Sequence, residues 1–155
     1  MNQPRIPTGT PGRAVVIHGR DQALAALEAA RLLPARLVLL SAENAACFLG
    51  PLWWAALMDS LQREMLDAAA TDLLDCGSSA GRCMEALRVG LRHLVLSPAC
   101  PQFEAVRHRA EALGAHLVTR RPISFDLAGD RHDLLRRWLQ ADPDAAAEPG
   151  ARSVL

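Results

Sequence analysis

The sequence predicts one α/β domain: a single open, doubly wound sheet of about five parallel strands with helices on both faces, flavodoxin- or Rossmann-like. Three observations predict it. Short apolar, β-branched runs alternate with amphipathic stretches of helical period. The links between them are short and marked by Gly and Pro. Five such strands are too few to close a barrel, which takes eight.

Residues 1–12 are rich in Pro, Thr and Gly and read as a flexible leader. Arg13 to His18 is a β-branched run and gives the first strand. Gly19 allows a turn, and Asp21 can cap a helix to about Leu33. In it Ala23, Ala26, Leu27, Ala30 and Leu33 share a face, with Glu28 and Arg31 opposite. Pro34 ends it.

Arg36 to Ser41 is continuously apolar, as expected of a strand covered on both faces. A polar link with Glu43 and Asn44 leads through a short apolar stretch to Gly50. Pro51 then opens the second helix, to about Met65. Thr71 to Cys76 is a weaker strand. Gly77, Ser78 and Ser79 form a turn, and a third helix starts near Ala80 and closes at Gly90. His93 to Ser97 is the fourth strand. Pro101 opens the fourth helix and Gly114 ends it. His116 to Thr119 is the fifth strand, and a last helix covers about 130–140. The tail over 141–155 is Ala/Pro/Asp-rich and reads as disordered, which leaves 13–140 as the folded domain. A faint echo relates Glu28-Ala29, Arg31 and Leu37-Val38-Leu39 to Glu85-Ala86, Arg88 and Leu94-Val95-Leu96 at the same spacing, which suits a repeated helix–strand unit.

A length of 155 residues fits one domain, and 50 % hydrophobic with 22 % charged residues is a globular profile. No apolar run reaches the roughly 18 residues that span a bilayer, and no apolar signal segment opens the chain. The expectation is a cytoplasmic protein with no membrane partner. Net charge is zero, so no nucleic-acid partner is expected. Clusters such as Arg107/Arg109 read as solvated helix faces.

All 17 basic residues are arginine. Without lysine there is no amine for a Schiff base or a pyridoxal-phosphate linkage, and no P-loop lysine. No cofactor is expected. The cysteines, Cys47, Cys76, Cys83 and Cys100, lack C-x-x-C spacing, and no two histidines have H-x-x-x-H spacing, so no metal site is expected.

In such sheets ligands bind beyond the carboxyl ends of the strands. The richest end is Asp75-Cys76-Gly77-Ser78-Ser79-Ala80-Gly81-Arg82. Two glycines and two serines at a strand-to-helix turn offer backbone N–H groups to an anion. Equally, Gly77 makes the turn and Ser78 or Ser79 caps the helix. With flavodoxin-like order the first strand's end, His18, Gly19 and Arg20, sits beside this turn. A small anionic or phosphorylated ligand is then held by His18, Gly19, Arg20, Gly77, Ser78 and Ser79. The domain is a binding or interaction module on this reading.

Cys76, five residues and Arg82 resemble the C-x5-R phosphate loop of cysteine-dependent phosphatases. The resemblance implies a phosphatase or sulfurtransferase with Cys76 as nucleophile and Arg82 as the phosphate fork; His18 would serve as acid/base. The pattern departs from that family in two places: Asp75 stands where His usually precedes the cysteine, and Cys83 where Ser or Thr usually follows the arginine. Arg82 can also pair with Glu85. The wider stretch from Leu74-Asp75-Cys76-Gly77 to Arg92 resembles a group of short bacterial α/β proteins with a strand-DCG-turn-helix segment, a resemblance that carries over the fold class and transfers no function. The Gly-x-x-x-Leu-Val-Leu cadence is similar to half-barrel segments of phosphate-handling aldolases, whose lysine is missing here.

The second helix carries the partner signal. Leu52 to Met58 is wholly apolar with Trp53 and Trp54 adjacent. Neighbours on a helix point about 100° apart, so one narrow stripe cannot bury both. Either one Trp faces a partner, giving a homodimer through this helix, or the helix is buried all round.

Overall fold

The computed structural model describes residues 13–31, 36–65, 70–129 and 131–141. The expected leader, most of the expected tail, and Leu33 and Pro34 at the end of the first helix lie outside the described residues. The elements are β1 (Arg13–Ile17), α1 (Arg20–Ala30), β2 (Leu37–Ser41), α2 (Ala45–Phe48), α3 (Pro51–Glu64), β3 (Ala70–Asp75), α4 (Ala80–Arg88), β4 (His93–Val95), α5 (Phe103–Ala112), β5 (His116–Val118), β6 (Ser124–Asp126) and α6 (His132–Gln140). They form one open sheet of parallel strands with helices around it, so the α/β class is as expected.

The strand order is β5-β4-β3-β2-β1-β6. Two details differ from the sequence reading. A sixth strand is present: Ser124, Phe125 and Asp126 pair with Ala14, Val15 and Val16. Three residues are too few to show an alternating pattern, so only the pairing reveals them. The order is also not flavodoxin-like, because β2 lies between β1 and β3.

Four successive crossovers step the same way across the sheet. Right-handed crossovers repeated in one direction lay their helices on one face. Accordingly Val15, Ile17, Leu37, Leu39, Leu74 and Leu94 join one core with Leu27 of α1, Trp54 and Leu61 of α3, Leu87 of α4, Val106 of α5 and Leu135 of α6. The alternate strand residues Ala14, Val16, Val38, Leu40, Leu73 and Val95 form a second cluster with no helical member. The expected arrangement of helices on both faces is refined to that extent.

The connection from β5 to β6 constrains the shape of the sheet. Six Cα steps separate Val118 from Ser124, at most about 21 Å of chain. A flat sheet would place those strands about 24 Å apart across five spacings. The registers also set Ser124 about four residues, or about 13 Å, lower along the strands. The chain is too short for a flat sheet, so the sheet curls and its edges approach. Leu40, at 0 % exposure, and Leu73, at 3 %, lie on this face.

Arg121, in the middle of this link, fixes it. Its Nη1 donates to Asp75 Oδ2 at 2.5 Å and its Nη2 to the Ser41 carbonyl at 2.9 Å. Ser41 Oγ accepts from the Asp75 N–H at 2.9 Å. One guanidinium thus ties the ends of β2 and β3 to the link. Asp75 is buried, and removing the one cation paired with it among the described residues is costly. Arg121→Ala is expected to destabilise the fold by about 3 kcal/mol in urea unfolding, with Arg121→Lys intermediate because it loses the fork. A loss below about 1 kcal/mol for the alanine variant, the level of an exposed pair, would contradict this role.

Candidate functional site

The carboxyl edge of the sheet is where the sequence places a site, and β1 ends there at His18. Its Nε2 lies 2.7 Å from Asp126 Oδ1, at the end of the neighbouring strand β6. The pair is open to solvent. Burial pushes the Asp126 carboxyl up, but the His18 bond, the Ala128 N–H and the charges of His18 and Arg131 together hold it below its ordinary range. Gly19 is the N-cap of α1, in extended conformation and without a side-chain cap. Arg20 is engaged by Glu64 of α3.

The β3 turn is satisfied from within. Gly77 N–H donates to Asp75 Oδ1 at 2.7 Å, so the amide offered to an outside anion already holds a carboxylate. Ser79 is the N-cap of α4, and its Oγ accepts from Arg82 N–H at 3.3 Å. Ser79 N–H itself donates to the Cys76 carbonyl. Ser78 is exposed. Gly77 has φ +58°, and a Cβ there would stand 1.8 Å from Asn44 Oδ1. Asn44 is itself left-handed at φ 56°. Two left-handed residues from adjacent strand ends thus pack on each other, which leaves no room at Gly77 for a side chain.

Cys76 is fully buried. Its thiol is pushed far above the ordinary range by a hydrogen bond with Cys83, by burial, and by the nearby Cys83, Asp75 and Cys47. The nucleophile of a phosphatase needs the opposite, an exposed thiol of lowered pKa. Arg82 points to Glu85, with Nη1 donating to Oε2 at 2.7 Å. Because β2 intervenes, His18 and Gly77 are two strand spacings apart, about 10 Å. The structure therefore brings His18, Gly19 and Arg20 together at one strand end, and Cys76 with Gly77, Ser78 and Ser79 at another.

Asp126 and the bonding role of Arg121 are the edge residues that sequence reasoning missed. Asp126 was hidden by the brevity of β6. Arg121 was legible as a strand-end residue, but its partner 46 positions upstream was not. Among the described residues no group of three or more His, Cys, Asp or Glu could hold a metal ion. Nor is any described helix long and apolar enough to cross a membrane.

The tryptophans divide as the helical geometry requires. Trp54 is buried, its Nε1 donating to Asp72 Oδ2 at 3.2 Å. Trp53 is 39 % exposed, beside Phe48, Leu49 and Leu52, which are 79 %, 47 % and 67 % exposed.

Two outcomes are expected. Native protein treated with iodoacetamide at mildly alkaline pH should be alkylated at Cys47, the exposed thiol, and at Cys76 only after unfolding; equal rates for the two, read by peptide mass spectrometry, would contradict the burial of Cys76. Gly77→Ala should lower stability by about 1–3 kcal/mol through left-handed strain and the Asn44 clash. Gly81→Ala, in open space on a helix, should raise it by about 0.5 kcal/mol; equal effects of the two in urea unfolding would remove the special role of Gly77. No protein-family model matches the chain, and no curated protein matches it.

Proposed function

We propose that the protein is a non-catalytic binding module that self-associates through the corner between α2 and α3. The observation that carries this reading is the run of large exposed apolar side chains there: Phe48, Leu49, Leu52 and Trp53. Single exposed apolar residues are ordinary on a surface; several adjoining large ones mark an interaction patch. Aromatic side chains anchor such patches. From Ala45 to Met58 there is no charged residue, so a charged partner finds nothing to pair with. A second copy of the same apolar patch is self-complementary in a two-fold contact.

The buried thiol of Cys76 and the engagement of Arg82 by Glu85 favour a module over a cysteine-dependent phosphatase or sulfurtransferase. A small anion at the carboxyl edge has narrower support. The Gly77 amide is taken by Asp75. What supports it is the uncapped end of α1 at Gly19, beside His18, and there the Asp126 carboxylate opposes a second negative charge.

Light scattering coupled to size-exclusion chromatography tests the module reading. Wild type should elute with the mass of two chains, and Leu52→Glu combined with Trp53→Ala with the mass of one. A wild type of single-chain mass, or a double variant of unchanged mass, would sink it.

A further inference from the structure

We propose that the groove between the C-terminal ends of α4 and α5 binds a small organic anion with an apolar body, a carboxylate or phosphate joined to an aromatic or aliphatic group. This does not rest on the self-association reading, since the groove lies away from the α2–α3 corner. It is a half-open groove of about 520 Å³, lined by Met84, Leu87 and Leu113 together with Arg88, Arg92 and Arg109. That volume suits a small molecule. Among the described residues its lining is three apolar residues and three arginines, with no carboxylate.

The charge is real rather than locally cancelled. From Cys76 to Phe125 the chain holds seven arginines against three glutamates and no aspartate. All three glutamates are engaged elsewhere: Glu85 by Arg82, and Glu104 and Glu111 by Arg107. Among the described residues, Arg88 and Arg109 have no carboxylate partner. Arg92 spends Nη1 on the carbonyls of Leu87 and Leu91, at 3.1 and 2.9 Å, which anchors it at the end of α4.

A plainer role for these arginines is to offset the negative ends of two helices. Each helix end carries about half a negative charge. Two ends thus offset about one of three guanidiniums, and the net negative charge of Glu104 and Glu111 sharing the single Arg107 offsets about one more, which leaves an excess of about one positive charge over the apolar residues of the groove. A guanidinium fork matches a carboxylate or phosphate in two parallel hydrogen bonds, and the half-buried Met84 and Leu113, over the buried Leu87, offer the body of the ligand a surface to leave water. The groove between α1 and α6, of similar size, lacks this selectivity because Glu28 faces it as well as Arg136.

Calorimetric titration of the full chain separates the contributions, with 1-naphthyl phosphate, 1-naphthoate, neutral 1-naphthol and inorganic phosphate as probes. At least one of the two naphthyl anions should bind saturably with Kd below about 1 mM, and which of them binds more tightly identifies the headgroup. 1-Naphthol and inorganic phosphate should each bind at least tenfold more weakly. Arg88→Gln with Arg109→Gln should weaken the anion at least tenfold, while Arg120→Gln on the β5–β6 link leaves it unchanged. Thermal melting checks that the variants fold; should the double variant not fold, Arg88→Gln alone is expected to weaken binding at least threefold. Failure of both naphthyl anions to saturate below about 1 mM, equal binding of 1-naphthol, or unaltered binding in the folded variants would overturn the proposal.

Discussion

A buried carboxylate governs the architecture. Asp75 ends β3 on the face whose buried cluster has no member from a described helix, and a carboxylate out of water persists only when paired and hydrogen-bonded. Its three neighbours are the Gly77 N–H, the Arg121 guanidinium and, through its own backbone N–H, Ser41. Each does a different job. Gly77 turns the chain toward α4, Arg121 holds the β5–β6 link against the sheet, and Ser41 ties β2 to β3. The link is too short for a flat sheet, so this anchoring and the curl of the sheet are one constraint. On that face Val16, Leu40 and Leu73 are buried in a cluster with no member from a described helix.

The same carboxylate decides what the β3 turn can do. A strand-to-helix turn with two glycines and two serines has the composition of an anion cradle. Here the anion is internal and covalently attached, and Ser79 serves α4 as its cap. Cys76, next in sequence, points into the core against Cys83, where ionisation is opposed by the hydrogen bond with Cys83, by burial and by the nearby Asp75 carboxylate. The features that resemble a phosphate loop are thus absorbed in holding the edge of the sheet together.

Surface chemistry is divided between two regions. The α2–α3 corner exposes a run of large apolar side chains, while the α4–α5 groove is lined by apolar residues together with three arginines. A net charge of zero conceals this division. The unpaired arginines cluster because the glutamates of α4 and α5 are spent on i, i+3 and i, i+4 pairs with Arg82 and Arg107.

The sequence by itself determined the α/β class, five of the six strands and the five longer helices, because hydrophobic periodicity and Gly/Pro punctuation are local signals. It also determined that Trp53 and Trp54 could not share one buried stripe, a matter of helical angle alone. The ends of β1 and β3 were read as strand ends correctly, but their separation was decided elsewhere. Strand order, the pairing of β6 with β1, the meeting of His18 with Asp126 and the reach of Arg121 to Asp75 belong to the tertiary structure. Each joins residues far apart in the chain, and nothing in either local segment encodes the other. Only the register of the sheet and the length of the β5–β6 link bring them within hydrogen-bonding distance.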